Sequence, residues 1–182
     1  MKRDFRAAEL LQCADVLAGR GAGPGRPRTA YLRRATSTAY YALFHQLVSH
    51  GTRRAVPGGS AGDRHVVARW YSHGNLKKAA EWVDLIHNGK KAPPGVDALL
   101  TGSVAIPSDL AVVAAAVRDL QQARHDADYD PAYDATKRRT LGHIDQARGA
   151  VAAARRLNAT PEPSYARFLL LALGGPTMVK NN

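Results

Sequence analysis

Apolar residues recur with the spacing of an α-helix along nearly the whole chain. One group falls three or four residues apart, as on one face of a helix: Leu110, Val113, Val117 and Leu120. No segment alternates apolar and polar residues for long enough to predict a half-buried strand. The pattern therefore predicts an all-α protein, and 182 residues are enough for one domain with one hydrophobic core.

Clusters of glycine and proline divide this pattern into five or six helices. The predicted helices span residues 3–18, 28–49, 64–87, 109–127, 133–158 and 162–173. Asp63 is the expected N-cap of the third helix, a break near Gly74 could split that helix, and residues 88–106 are expected to form a long connection. We expect an up-and-down bundle with mostly antiparallel neighbours, in which residues 1–160 form the domain and residues 161–182 add a C-terminal helix and tail packed on it.

The chain is strongly basic, with a net charge of +11, and the charge is unevenly distributed. No acidic residue lies between Asp15 and Asp63, a stretch that contains seven arginines: Arg20, Arg26, Arg28, Arg33, Arg34, Arg53 and Arg54. Such a surface attracts polyanions, with nucleic acid ahead of acidic proteins or anionic membranes. The alternative is that the arginines reflect the base composition of a GC-rich genome.

Cysteine usage and hydropathy indicate the compartment. Cys13 is the only cysteine, which excludes an internal disulfide and a thiolate metal cluster, and its neighbours Leu11 and Val16 predict a buried structural thiol. The N-terminus is charged and lacks the apolar run of a secretory signal. The longest apolar run, residues 110–117, is too short to cross a bilayer. We therefore expect a cytoplasmic protein without membrane contact.

Two common types of site are not expected. The glycine-rich stretches 19–25 and 58–62 lack the Gly-Lys-Ser/Thr ending of a phosphate-binding loop. The seven histidines include no pair four residues apart and no His-Glu-x-x-His motif. Neither a metal nor a cofactor is therefore predicted.

The first segment of interest, Ser37-Thr-Ala-Tyr-Tyr-Ala-Leu-Phe-His45, lies in the second predicted helix. At about 100° per residue, one stripe of this helix contains Tyr40, Leu43, Phe44 and Leu47. A second stripe on another flank contains Arg34, Thr38, Tyr41 and His45. The aromatic residues fit either a core or a base-stacking platform. His45 fits either a buried histidine bonded to the backbone or an acid–base group.

The second segment, Arg124-His-Asp-Ala-Asp-Tyr129, follows at the end of the fourth predicted helix. Arg124 and Asp128 are four residues apart, so one interpretation is a salt bridge worth roughly a few tenths of a kcal/mol. The other interpretation is a site for phosphate or a nucleotide built from Arg124, His125, Asp128 and Tyr129.

Taken in order, the two segments resemble those of HEPN-domain proteins. In that family an aromatic pair, a small residue and Phe-His are common in the second helix, and Arg-x-x-Ala-Asp-Tyr occurs near a later one. The resemblance covers about residues 3–160. It implies a small helical bundle that pairs as a homodimer. It also implies the activity of many members, which are metal-independent ribonucleases of toxin–antitoxin, phage-defence or CRISPR systems. Their site is an arginine, a polar residue and a histidine that is separated from the arginine by four to six residues.

The resemblance implies roles for the two segments. Arg124 would hold a phosphate, His125 or His45 would move protons, and Asp128 and Tyr129 would orient them. RNA or a nucleotide would also contact a wider set of residues: Arg34, Thr38, Tyr41, Arg28, Arg33, Arg53 and Arg54.

One departure from the family pattern leaves enzymatic activity open. At the matching distance after Arg124 the chain has Tyr129, Asp130 and Pro131 instead of a histidine, and the histidine comes directly after the arginine, as His125. The alternative to an RNA-cleaving enzyme is therefore a catalytically inert module. Such a module would bind a nucleotide or a partner nucleotidyltransferase.

Overall fold

Eight α-helices form the regular secondary structure of the computed structural model, which describes residues 7–22, 27–102, 105–160 and 162–180. They are α1 (Ala7–Leu17), α2 (Thr29–Ala55), α3 (Ala61–Ala68), α4 (His73–His87), α5 (Pro94–Thr101), α6 (Ser108–Tyr129), α7 (Lys137–Ala159) and α8 (Pro163–Lys180). No strand occurs among these residues, so the all-α prediction is confirmed there. The expected five or six helices are fewer than the eight observed.

The third predicted helix is in fact two helices, α3 and α4, as the break near Gly74 suggested. Ser60 caps α3 in place of Asp63. The Ser60 side chain accepts a hydrogen bond from the Asp63 backbone N–H at 3.1 Å, and the Asp63 carboxylate accepts one from the Ser60 N–H at 2.8 Å. This reciprocal capping box makes Asp63 the third residue of the helix instead of its cap.

The other helix that the sequence did not predict, α5, lies within the predicted long connection of residues 88–106. It begins at Pro94, a position where the missing N–H of proline costs the helix no hydrogen bond. Val96 and Leu100 of α5 are buried, and α5 contacts α4 and α8. Because α5 has only eight residues, its apolar positions are too few to show a clear helical period in the sequence.

The chain divides into two compact units. Unit 1 consists of Met1–Gln46 and Asp119–Ala152, and unit 2 consists of Leu47–Arg118 and Ala153–Asn182. The boundaries fall inside α2, α6 and α7, so each of these helices contributes a segment to both units. The expected division of the chain at residue 160 stays a prediction.

Unit 1 is built from α1, the first part of α2, the end of α6 and the first part of α7. Its fully buried residues are mostly small or aliphatic, together with one tyrosine, and they include Ala14, Ala35, Ala39, Tyr40, Leu43, Leu120, Ile144 and Ala147. Of the predicted stripe, Tyr40, Leu43 and Leu47 are buried, whereas Phe44 is only half-buried. α2 and α6 run antiparallel here, because Ser37 contacts Asp128 whereas the later Tyr41 contacts the earlier Arg124.

Unit 2 packs α4 against α8. The buried Tyr71 hydroxyl donates to the backbone carbonyl of Leu169 at 3.1 Å. A Cβ added at Gly51 of α2 would overlap that hydroxyl, so any larger residue there would force Tyr71 or α2 to shift. Also buried in this unit is His50, whose Nδ1 lies 2.7 Å from the hydroxyl of Tyr165.

Cys13, which the sequence predicted to be a buried thiol, lies on the surface instead. It is exposed, and so is its neighbour Val16, at 74%. The buried stripe of α1 contains Ala7, Leu11 and Ala14, and Cys13 lies off that stripe. Trp70, which falls within the third predicted helix, in fact follows the end of α3 and is 57% exposed.

Some predicted positions lie outside the described residues, among them Arg26 of the basic stretch and the start of the first predicted helix, residues 3–6. Among the helices that are described, none combines the length and apolarity needed to cross a bilayer.

Candidate functional site

A polar cleft of about 530 Å³ opens on unit 1 between α2 and the last turns of α6. It is lined by Ala30, Arg33, Arg34, Tyr41, Arg124, Ala127, Asp128 and Tyr129. The lining therefore contains three arginines, one carboxylate and two tyrosines. The antiparallel packing of α2 and α6 brings the two sequence segments together here, although Tyr41 and Arg124 are 83 residues apart in the chain.

Arg124 lies between two tyrosine rings. Its Nη2 donates to the Tyr41 hydroxyl at 3.1 Å, and its guanidinium carbon lies 5.6 Å from the ring centroids of both Tyr41 and Tyr129. These distances allow cation–π attraction to both rings. Only 17% of the arginine side chain is exposed, so Tyr41 and Tyr129 hold the guanidinium in one orientation.

Arg124 also forms the predicted salt bridge with Asp128. Nε lies 3.0 Å from Oδ2 of Asp128, although its N–H is poorly aligned for a hydrogen bond. Burial acts to lower the pKa of Arg124, but Tyr41 and Asp128 outweigh it and raise that pKa above its ordinary value. The guanidinium is therefore permanently charged.

Asp128 lies between two arginines and is 16% exposed. Its Oδ1 accepts a hydrogen bond from the Ser37 hydroxyl at 2.5 Å and lies 3.6 Å from Nη1 of Arg34. Its Oδ2 faces Arg124. One carboxylate thus contacts both α2 and its own helix, and it offsets one of the positive charges in the cleft.

Two lining residues face solvent. The side chain of Arg34 is 70% exposed, and Tyr129 is 64% exposed. Arg34 makes only the long contact to Asp128 among the ion pairs of the described residues. A ligand that enters the cleft from solvent would therefore meet an exposed cation and an exposed aromatic ring first.

Arg33 lines the cleft but is engaged in holding the end of α6. Its Nε donates to the carbonyl of Ala127 at 2.7 Å, and its Nη2 donates to the carbonyl of Asp130 at 2.5 Å. Its guanidinium also lies 5.7 Å from the ring centroid of Tyr133. The last carbonyls of a helix have no hydrogen-bond donor within the helix, and Arg33 donates to carbonyls at the end of α6.

Both candidate histidines lie beside the cleft, not in its lining. The His125 side chain is 63% exposed, lies 3.8 Å from Asp126 and has its ring 5.3 Å from that of Tyr129. The ring of His45 is half-buried, stacks on Tyr41 at 6.1 Å, and has its pKa lowered by burial. Each histidine thus contacts a tyrosine that lines the cleft, Tyr129 for His125 and Tyr41 for His45.

The remaining residues expected at the site are not in the cleft lining. The Thr38 hydroxyl donates to the carbonyl of Arg34 within α2, at 2.8 Å. Arg28 is exposed just before α2. Arg53 and Arg54 belong to unit 2, in the last turn of α2, and Nη2 of Arg54 donates to the side-chain oxygen of Asn158 at 3.3 Å.

Sequence reasoning missed one polar contributor, Ser37, which orients the Asp128 carboxylate. Ser37 is three residues after Arg34 and four before Tyr41, so helical spacing places it on their face as well as it places Thr38. Helical periodicity alone could have predicted either Ser37 or Thr38 at the site, and only the position of α6 shows that Ser37 is the one that contacts Asp128.

No group of three or more histidine, cysteine, aspartate or glutamate side chains in the described part of the chain is arranged to hold a metal ion. The chain matches no protein-family model, and no curated protein or solved structure is significantly similar to it.

Proposed function

We propose that the chain is an RNA-associated, HEPN-like domain whose cleft in unit 1 binds the phosphate backbone of single-stranded RNA. The observation that carries the proposal is the combination of Arg34 and Arg124 with the exposed ring of Tyr129 in one cleft. Proteins that bind single strands combine a positive groove for the backbone with aromatic rings on which bases stack. The net charge of +11 supports a polyanionic ligand.

Within this proposal Arg34 contacts phosphate and Tyr129 stacks on a base. Replacing Tyr129 by alanine should weaken binding of a fluorescein-labelled oligouridylate by about 1–3 kcal/mol, as for other base–aromatic stacks. The matched control is Tyr31→Ala, because Tyr31 is also an exposed tyrosine of unit 1, at 51%, but does not line the cleft. Equal effects of the two substitutions on affinity would refute this role for Tyr129.

A second candidate function is metal-independent RNA cleavage, of the bacterial defence or toxin type that the resemblance implies. It is favoured by the positions of His125 and His45, each against a tyrosine of the cleft. One histidine would take the proton of a ribose 2′-hydroxyl, whose oxygen then bonds to phosphorus. The 5′-oxygen would leave with a proton from the other, giving a cyclic phosphate and a free 5′-hydroxyl.

The competing proposal is an inert interaction module, which would bind a nucleotide or a partner nucleotidyltransferase. It is favoured by the lack of a histidine among the described residues that line the cleft. Incubation of RNA with the protein in EDTA separates the two. Cleavage that survives chelation and disappears in Arg124→Ala supports the enzyme, whereas intact RNA with retained binding supports the module. For either function, the homodimer implied by the resemblance remains part of the proposal.

A further inference from the structure

The cleft already contains an anion of its own. The Asp128 carboxylate has one oxygen toward Arg34 and Ser37 and the other toward Arg124. It is therefore in contact with both cations that a ligand phosphate would use. A phosphate that pairs with these arginines must share them with Asp128 or displace it.

The two ion pairs of Asp128 differ in a way that suggests an order of events. The contact to Arg34 is long, 3.6 Å, and Arg34 is 70% exposed, so this pair is strongly screened by water. The contact to Arg124 is shorter, 3.0 Å, and both side chains are largely covered. Arg34 can leave the carboxylate at little cost, whereas Arg124 remains paired with it.

We propose that Asp128 acts as an internal competitor for ligand phosphate, lowering the affinity of the empty cleft by pairing with Arg34 and Arg124. An incoming phosphate takes Arg34 first, and Arg124 becomes available only as the carboxylate is displaced. This inference rests on the proposed function, because it requires that the cleft binds phosphate.

Asp126 provides a matched control on the same helix. It lies two residues before Asp128, accepts a hydrogen bond from Gln122 at 2.7 Å and is 3.8 Å from His125. It does not line the cleft. Replacing either aspartate by asparagine changes the net charge equally. A difference in RNA affinity between the two variants therefore depends on where the lost charge lay, inside or outside the cleft.

The test is the affinity for a short fluorescein-labelled oligouridylate, measured by fluorescence anisotropy at low salt. We expect Asp128→Asn to bind roughly three- to tenfold more tightly than the wild type, because a negative charge beside the phosphate is gone and Asn can still accept from Ser37. Asp126→Asn should stay within about twofold of the wild type, since its charge lies outside the cleft and is screened. Equal gains in both variants, or weaker binding by Asp128→Asn, would overturn the proposal.

A second variant covers the case in which Asp128→Asn does not fold, which circular dichroism would detect. Ser37→Ala keeps the carboxylate but removes the hydrogen bond that holds it, so phosphate should displace it more easily and affinity should rise by roughly three- to fivefold, beyond the range expected for Asp126→Asn. Unchanged or weaker binding by a folded Ser37→Ala protein would count against the proposal.

The outcome also separates this inference from the proposed function. If neither the wild type nor the Asp128→Asn variant binds the oligouridylate, the proposed function itself is wrong. If the wild type binds and Asp128→Asn binds no better than Asp126→Asn, RNA binding stands and only the role of Asp128 as a competitor is wrong.

Discussion

Arg33 and Arg34 are neighbours in the sequence with opposite environments. Arg33 donates to backbone carbonyls at the end of α6, whereas Arg34 extends into solvent. The sequence predicted the same ligand-binding role for both. Side-chain type could not separate them, because the carbonyls that engage Arg33 belong to a segment nearly a hundred residues later in the chain.

We therefore predict different consequences of removing the two arginines. Arg33→Met should lower the free energy of unfolding by roughly 1–3 kcal/mol, because it leaves the Ala127 and Asp130 carbonyls without their charged donor. Arg34→Ala should change it by less than about 0.5 kcal/mol, as expected for an exposed side chain. Urea denaturation of the two variants checks this, and a similar loss of stability in both would contradict it.

His50 predicts a pH dependence of stability. Burial, with help from Arg53, Arg54 and Arg155, lowers the pKa of His50 from 6.5 to about 4. Between these values the unfolded chain binds a proton that the folded chain does not, so His50 makes stability fall as the pH is lowered from about 6.5 to about 4. The effect amounts to about 3 kcal/mol at most.

The measurement is urea denaturation of the wild type and of His50→Gln at a series of pH values. The wild type should lose more stability than the variant over this interval. Titration of other groups is common to both proteins, so it cancels in the difference. Parallel curves for the two proteins would show that His50 does not titrate with the depressed pKa.

At the scale of elements, helical periodicity predicted the long helices but not all their ends, since α2 continues to Ala55 and α8 to Lys180. The buried faces of α6 and of the first part of α2 agree with the apolar stripes, because positions that face the core recur every three or four residues. Short elements were less predictable. α5 has few apolar positions, and the start of α3 depends on the reciprocal hydrogen bonds between Ser60 and Asp63.

Close packing within unit 2 gives a test at this scale. Gly51→Ala should lower the free energy of unfolding by about 1–3 kcal/mol, because the new Cβ overlaps the Tyr71 hydroxyl and forces α2 or Tyr71 to move. Gly149→Ala is the matched control: Gly149 is an exposed helix residue of α7 with open space around its Cβ position, so it should stabilise by about 0.5–1 kcal/mol.

Thermal or urea denaturation of both glycine variants decides this prediction. The expected result is a change of opposite sign in the two variants, although each adds one methyl group within a helix. Stabilisation by Gly51→Ala would mean that α2 does not approach Tyr71 as closely as described.

At the scale of the whole molecule, net charge was an incomplete guide to binding. Two arginines of the stretch without acidic residues are bound to other parts of the protein: Arg20 pairs with Asp15 and Asp145, and Arg33 binds carbonyls. The acidic partners come from elsewhere in the chain, so a count along the sequence overstates the cations available to a ligand. Arg34 remains largely exposed beside an aromatic ring.

The candidate site was predictable in part. The Arg124–Asp128 salt bridge and the grouping of Arg34 with Tyr41 follow from helical spacing alone. The meeting of the two segments depends on how α2 and α6 pack, which spacing does not determine. The same packing leaves His125 and His45 beside the cleft instead of in its lining.

RNA binding by Arg34→Ala, compared with Arg138→Ala over a series of salt concentrations, tests the central claim most directly. Both arginines are exposed and belong to unit 1, but Arg138 does not line the cleft. If Arg34 contacts a phosphate, its variant should bind about tenfold more weakly and lower the log–log salt slope by about 0.7, while Arg138→Ala should stay within about twofold of the wild type. Equal losses in the two variants, or a wild-type affinity that does not depend on salt, would contradict RNA binding in this cleft.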